Sequence, residues 1–147
     1  MESHSHTEVI RAPIDLCFDV LVDFARYPQR FAMIRAARIE QSDPASGLWT
    51  VTYDLDAILK TIQYTLAYRG ERPGRLSWKM IRGDLKAIEG SYDLVALEPG
   101  LTEATCTQAL DVGLWVPGPL RRTFEKSALS DSVRELKEAA EAASGSA

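Results

Sequence analysis

His4 and His6 are the only imidazoles in the chain, and both stand at its N-terminal end. A serine or cysteine nucleophile needs a base within hydrogen-bond reach. With both histidines in a terminus expected to fray, no Ser-His or Cys-His pair is well placed. On alternate residues of a strand the two would face the same side, but the sequence offers no third ligand, so neither a metal nor another cofactor is expected. Acid-base work by a carboxylate needs an Asp or Glu in an apolar pocket. Asp54, Asp56, Glu89, Asp93, Glu103 and Asp111 all fall out of phase with their apolar neighbours, and Glu40, Asp43 and Asp84 lie near strand ends or turns. No paired-carboxylate site is visible.

What remains is aromatic. Trp49, Tyr53, Tyr64, Tyr68, Trp78 and Tyr92 share the apolar phase of their segments, with Met80, Gln108 and Phe124 as neighbours on the same side. Large rings fill ordinary cores, yet buried phenols and indoles need hydrogen-bond partners, and four tyrosines on one dry face are many for a core alone. Aromatic walls with a few polar tips describe a small-molecule pocket. Gln108, an amide in an inward register, either bonds a tyrosine or orients a ligand. Two apolar stretches fall where loops should be, Ala57-Ile58-Leu59 and the run from Gly113 to Pro119. Within the second, Trp115 is either a plug under the following helix or a lid at a cavity mouth.

These residues require a sheet and a helix to hold them. From Ile34 to Val112 the pattern has period two, punctuated at Asp43-Pro44, Gly47, Gly70, Pro73-Gly74, Gly83-Asp84 and Pro99-Gly100, which suits about six antiparallel strands. Each strand is wet on one side only. Before them come a β-rich run over 7–11, a helix from Pro13 to about Asp23, a break at Arg26-Tyr27-Pro28 and one further turn over 29–33. After them, from Pro117 to Ala143, Leu120, Phe124, Leu129, Val133, Leu136 and Ala140 recur at helical spacing as one apolar stripe. At about 1.5 Å per residue such a helix crosses a whole sheet. A one-faced sheet and a one-striped helix bury each other in a two-layer α+β domain.

Composition bounds the rest. One domain over 1–147 is expected, with 1–5 and 144–147 frayed, from a chain 46% apolar and 26% charged. The net charge of -4 and isoelectric point near 5.2 speak against a nucleic-acid partner. No apolar run approaches a membrane span and no signal-peptide pattern opens the chain, so a cytoplasmic protein is expected. Cys17 and Cys106 read as small buried hydrophobes.

The order of elements, with Ile10-Arg11-Ala12-Pro13, Val20, Asp23, Tyr27 and Pro28 at the start, Trp78, Gly83, Gly90, Tyr92, Leu94, Pro99, Gly100 and Thr102 in the sheet, and Val116 to Arg122 before Leu129 and Leu136-Lys137, resembles the SRPBCC (START-like) superfamily. The likeness is greatest to small bacterial domains of the polyketide cyclase/dehydrase and coenzyme-Q-binding kinds. It implies a helix-grip fold: an antiparallel sheet of about seven strands curved around the C-terminal helix, with two short helices after the first strand. It also implies a cavity between sheet and helix for a hydrophobic small molecule, but no particular reaction. Three functions compete: a carrier of an aromatic, polyketide- or quinone-like molecule; a cyclase/aromatase-type enzyme; and a module that binds a protein or ribosomal partner or forms a homodimer. An inward Arg or Glu would favour the enzyme, a sealed apolar cavity the carrier, and a collapsed cavity the interaction module.

Overall fold

The computed structural model describes residues 3–56, 60–113 and 118–145, without the side chains at 120 and 122–124. In chain order the elements are β1 (Ser3–Ile10), α1 (Ile14–Val22), a 3-10 turn (Phe24–Arg26), α2 (Tyr27–Arg30), β2 (Ile34–Asp43), β3 (Leu48–Asp56), β4 (Thr61–Glu71), β5 (Arg75–Gly83), β6 (Ala87–Glu98), β7 (Leu101–Asp111) and α3 (Gly118–Gly145). The strands form one antiparallel sheet in the order β1-β7-β6-β5-β4-β3-β2. Alternation is kept, so Trp49, Tyr53, Tyr68, Trp78 and Tyr92 are all buried on the inner face. No helix among the described residues is long and apolar enough to cross a membrane.

Three local expectations differ. Residues 3–5, expected to fray, belong to β1, which pairs with β7 from Ser3 opposite Ala109 onward. Polar side chains hide the start of this strand, of which the sequence shows only the part from Thr7, but backbone pairing needs no apolar residue, and hydroxyl pairs Ser5–Thr107 at 2.8 Å and Thr7–Thr105 at 2.9 Å reinforce it. His4 therefore sits in the sheet, its Nε2 4.0 Å from the Glu125 carboxylate of α3. The turn expected over 29–33 begins earlier, at Tyr27, with Pro28 in its first turn, where the missing N–H costs nothing. Pro13 precedes α1 as its N-cap instead of opening it.

The core follows from two stripes. α1 buries Cys17, Phe18, Val20 and Leu21, and α3 buries Leu129, Val133, Leu136 and Ala140. Both cysteines are buried and free. α3 packs chiefly on β1 and α1, while α2 and the 3-10 turn cover β2. Between these two covers the inner face of the middle strands is only partly roofed.

The outer face carries a polar strap. Arg82 reaches Glu40 with both carboxylate oxygens at 2.6 Å, over a buried Thr52–Thr65 hydroxyl pair at 2.7 Å. Beside it Arg38 grips Asp54 through two bonds of 2.9 and 3.1 Å, and Gln63 adds a third at 3.0 Å. The Arg38 hydrogen bonds first, then Gln63, pull the Asp54 carboxyl down from 3.8 to about 2. A depressed carboxylate stabilises the fold above its unfolded pKa and loses that contribution as pH falls through the folded value. The stability gap between wild type and Asp54→Asn should thus close between about pH 4 and 2. Because the pair is solvated the gap at pH 7 should be small, and acid titration of urea midpoints measures it. A gap independent of pH would mean the variant acts through something other than this charge.

Candidate ligand-binding cavity

In the partly roofed region lies a cavity of about 180 Å³. The sheet contributes Tyr53, Tyr64, Tyr68, Trp78, Tyr92 and Gln108 to its wall. Their common face follows from register: Tyr53 is opposite Tyr64, Tyr68 opposite Trp78, and Tyr92 opposite Cys106. Rings on neighbouring strands therefore touch, Tyr53 and Tyr64 at 5.7 Å, Tyr68 and Trp78 at 6.0 Å, Trp78 and Tyr92 at 5.6 Å between centroids. Such tilted pairs add to the burial of each ring.

Trp78 has room because Gly90 lies opposite it on β6: a Cβ there would meet the indole at 2.8 Å and the Thr107 carbonyl at 2.6 Å. The indole N–H donates to Gln108 Oε1 at 3.1 Å, which fixes both side chains. Tyr53 and Tyr68 share a hydroxyl bond of 2.7 Å, Tyr92 is bonded to Ser132 of α3 at 2.7 Å, and Tyr27 donates to the Leu21 carbonyl at 2.5 Å. Burial pushes all these phenols upward, so they remain neutral donors. Burial likewise pushes the Cys106 thiol up to about 12, which makes it inert as a nucleophile. Two polar tips are left over. Neither the Tyr64 hydroxyl nor the Gln108 amide nitrogen has a hydrogen-bond partner among the described residues.

Of the ten residues singled out in the sequence, six line the cavity. Trp49 is inward and buried but packs beside Phe24 of the 3-10 turn at 5.7 Å, outside the lining. Met80 is half-buried against the core and also outside the lining. Trp115, with the stretch 57–59, and the side chain of Phe124 lie outside the described residues.

Other lining residues were not singled out. Tyr27, Phe31 and Met33, from the short α2 and the link after it, which carry no periodic signal, close one end together with Ile34 at the start of β2. α3 adds Ala128, Asp131, Ser132 and Glu135. Those four are spaced by three, one and three, which is one helical face beside the apolar stripe. Glu135 carries a carboxyl pushed upward chiefly by desolvation, against the Ala32 N–H that points at it and lowers it. An inward-facing acid is therefore present. Of the strand acids, Asp54, Glu89, Asp93, Glu103 and Asp111 are out of phase with the inner face, while Glu8 of β1 shares the phase of Ile10 but is not in the cavity lining.

Residues 10–137 match the family described as polyketide cyclase / dehydrase and lipid transport. No curated protein matches the chain. Among solved structures, the START superfamily protein from Mycobacterium smegmatis superposes with a TM-score of 0.84 at 20% identity, over 95% of this chain and 97% of that one. The Zhui aromatase/cyclase from Streptomyces sp. R1128 gives 0.83 at 15% identity, over 95% and 93%. A conserved protein from Geobacillus kaustophilus gives 0.73 at 14% identity, over 95% of each. At such identities the likeness is one of fold.

Proposed function

We propose, for a chain that belongs to the polyketide cyclase/dehydrase and lipid transport family, that the cavity binds and carries a hydrophobic aromatic small molecule with polyketide- or quinone-like rings. The START-like helix-grip fold expected from the sequence is the one found. The observation that carries the proposal is the wall itself: five tyrosines and a tryptophan around an unfilled space, with the Tyr64 hydroxyl and the Gln108 amide unspent. An engineered apolar cavity of about 150 Å³ accepts benzene, so about 180 Å³ suits one ring inside with the rest of a ligand toward the mouth. A space of this size, not collapsed, also weighs against the interaction module.

A fitting ligand at about 100 times its dissociation constant adds roughly 2.7 kcal/mol, which for this length is a rise of roughly 5–10 °C in melting temperature. A thermal-shift screen of quinones, flavonoids, polyketide fragments, sterols and fatty acids tests this, beside native mass spectrometry of fresh protein. Tyr64→Phe, which removes only the free hydroxyl, should keep the fold and weaken ligands with a polar ring substituent. If no class moves the midpoint and nothing co-purifies, the binding proposal falls.

Glu135 favours a second reading, the cyclase/aromatase type. A desolvated carboxylate beside a cavity is a candidate general base, and the Tyr64 hydroxyl could polarise a carbonyl oxygen. Turnover of a poly-β-ketone substrate that disappears in Glu135→Gln while binding persists would select it.

A further inference from the structure

We infer that the aromatic ligand of this cavity carries a positive charge, an ammonium group held between Glu135 and the aromatic wall; this rests on the cavity being a binding site. Among the described residues the lining contains two ionisable carboxylates, Asp131 and Glu135, and no Lys, Arg or His. Asp131 is already met by Arg134 at 2.5 Å. Glu135 has only the Ala32 N–H and no ion pair among the described residues. A ligand that enters past α3 strips water from this carboxylate, and a charge desolvated without a partner is costly. A neutral ligand leaves that cost in place, and an anionic one adds repulsion. A cation removes it.

The opposite walls favour the same sign. The faces of aromatic rings are electronegative and attract organic cations, and here a run of rings lines the space: Tyr64 against Tyr53, and Tyr68 against Trp78 against Tyr92, the two groups joined by the Tyr53–Tyr68 hydroxyl bond. The Tyr64 hydroxyl oxygen is a free acceptor beside that run, and burial keeps its proton on and the group neutral. Cavity, unpaired acid and ring faces are three separate features, and a fatty acid or aryl carboxylate suits none but the first.

The test uses three ligands on one 2-phenylethyl skeleton, ending in trimethylammonium, in the isosteric but neutral tert-butyl group, or in carboxylate. Dissociation constants come from amide chemical-shift titration of the full chain. The trimethylammonium ligand should bind at least about tenfold tighter than the tert-butyl one, the scale of a partly desolvated cation–ring contact plus an ion pair. The carboxylate should bind weakest. In Glu135→Gln the advantage of the cation should shrink severalfold while the tert-butyl affinity holds. Equal affinities for cation and tert-butyl, or tightest binding of the carboxylate, overturn the inference and leave the binding proposal standing. If none of the three binds and the broader screen also fails, it is the binding proposal that falls, and this inference with it. The comparison on wild type needs no variant, so it survives any folding defect in Glu135→Gln.

Discussion

Leu136→Ala is expected to lower the free energy of unfolding by about 2–5 kcal/mol, a large part of the stability of a domain this size. Leu136 has no exposed surface and stands in the stripe with Leu129, Val133 and Ala140 that seats α3 on the rest of the fold. The lost transfer energy is only part of the effect. The sheet and α1 on the other side are held by their own hydrogen bonds and cannot collapse into the space left. Urea denaturation should show a lower midpoint with an unchanged slope, whereas Glu138→Ala, on the exposed side of the same helix, should stay within about 0.5 kcal/mol. A loss below about 1 kcal/mol for Leu136→Ala would mean that α3 does not close the core.

Gly90→Ala should cost about 3 kcal/mol, the upper end for overpacking, although it adds one methyl group. The new carbon would lie 2.6 Å from the Thr107 carbonyl oxygen, a backbone atom of β7 that cannot swing aside, and 2.8 Å from the Trp78 ring. The indole can move only by giving up its bond to Gln108, and both are cavity walls. Near-ultraviolet circular dichroism and tryptophan fluorescence should change together with the midpoint, and ligand affinity should fall. Unchanged spectra with unchanged stability would show that Trp78 does not rest on Gly90.

Strand alternation made most of the aromatic wall legible in the sequence. Side chains two apart in a strand share a face, so an apolar partner at 51 or 66 places Tyr53 or Tyr68 without knowledge of the fold. Alternation decides the face but not the position along it. Trp49 is correctly inward yet sits under the 3-10 turn, away from the cavity. Glu135 was illegible for a different reason. Apolar spacing alone marks the buried side of a helix, and polar residues at 131, 132 and 135 look the same whether they meet bulk water or a cavity mouth. Tyr27 and Phe31 belong to elements too short for any period to emerge.

The way the two ends of the described chain meet bears on how the protein is made. β1 pairs with β7 across 102 residues at Ser5–Thr107, Lys137 bonds the Val9 carbonyl across 128, and Glu141 accepts the Arg11 N–H across 130. During synthesis β1 therefore has no sheet partner until β7, about 100 residues later, has emerged. At the usual few to twenty residues per second that wait is on the order of ten seconds. Contacts this far apart in sequence make a slow folder, and meanwhile the aromatic inner face of β3 to β6 is without its helix. Nascent chains stalled before α3 should be the species that chaperones hold and that aggregate first.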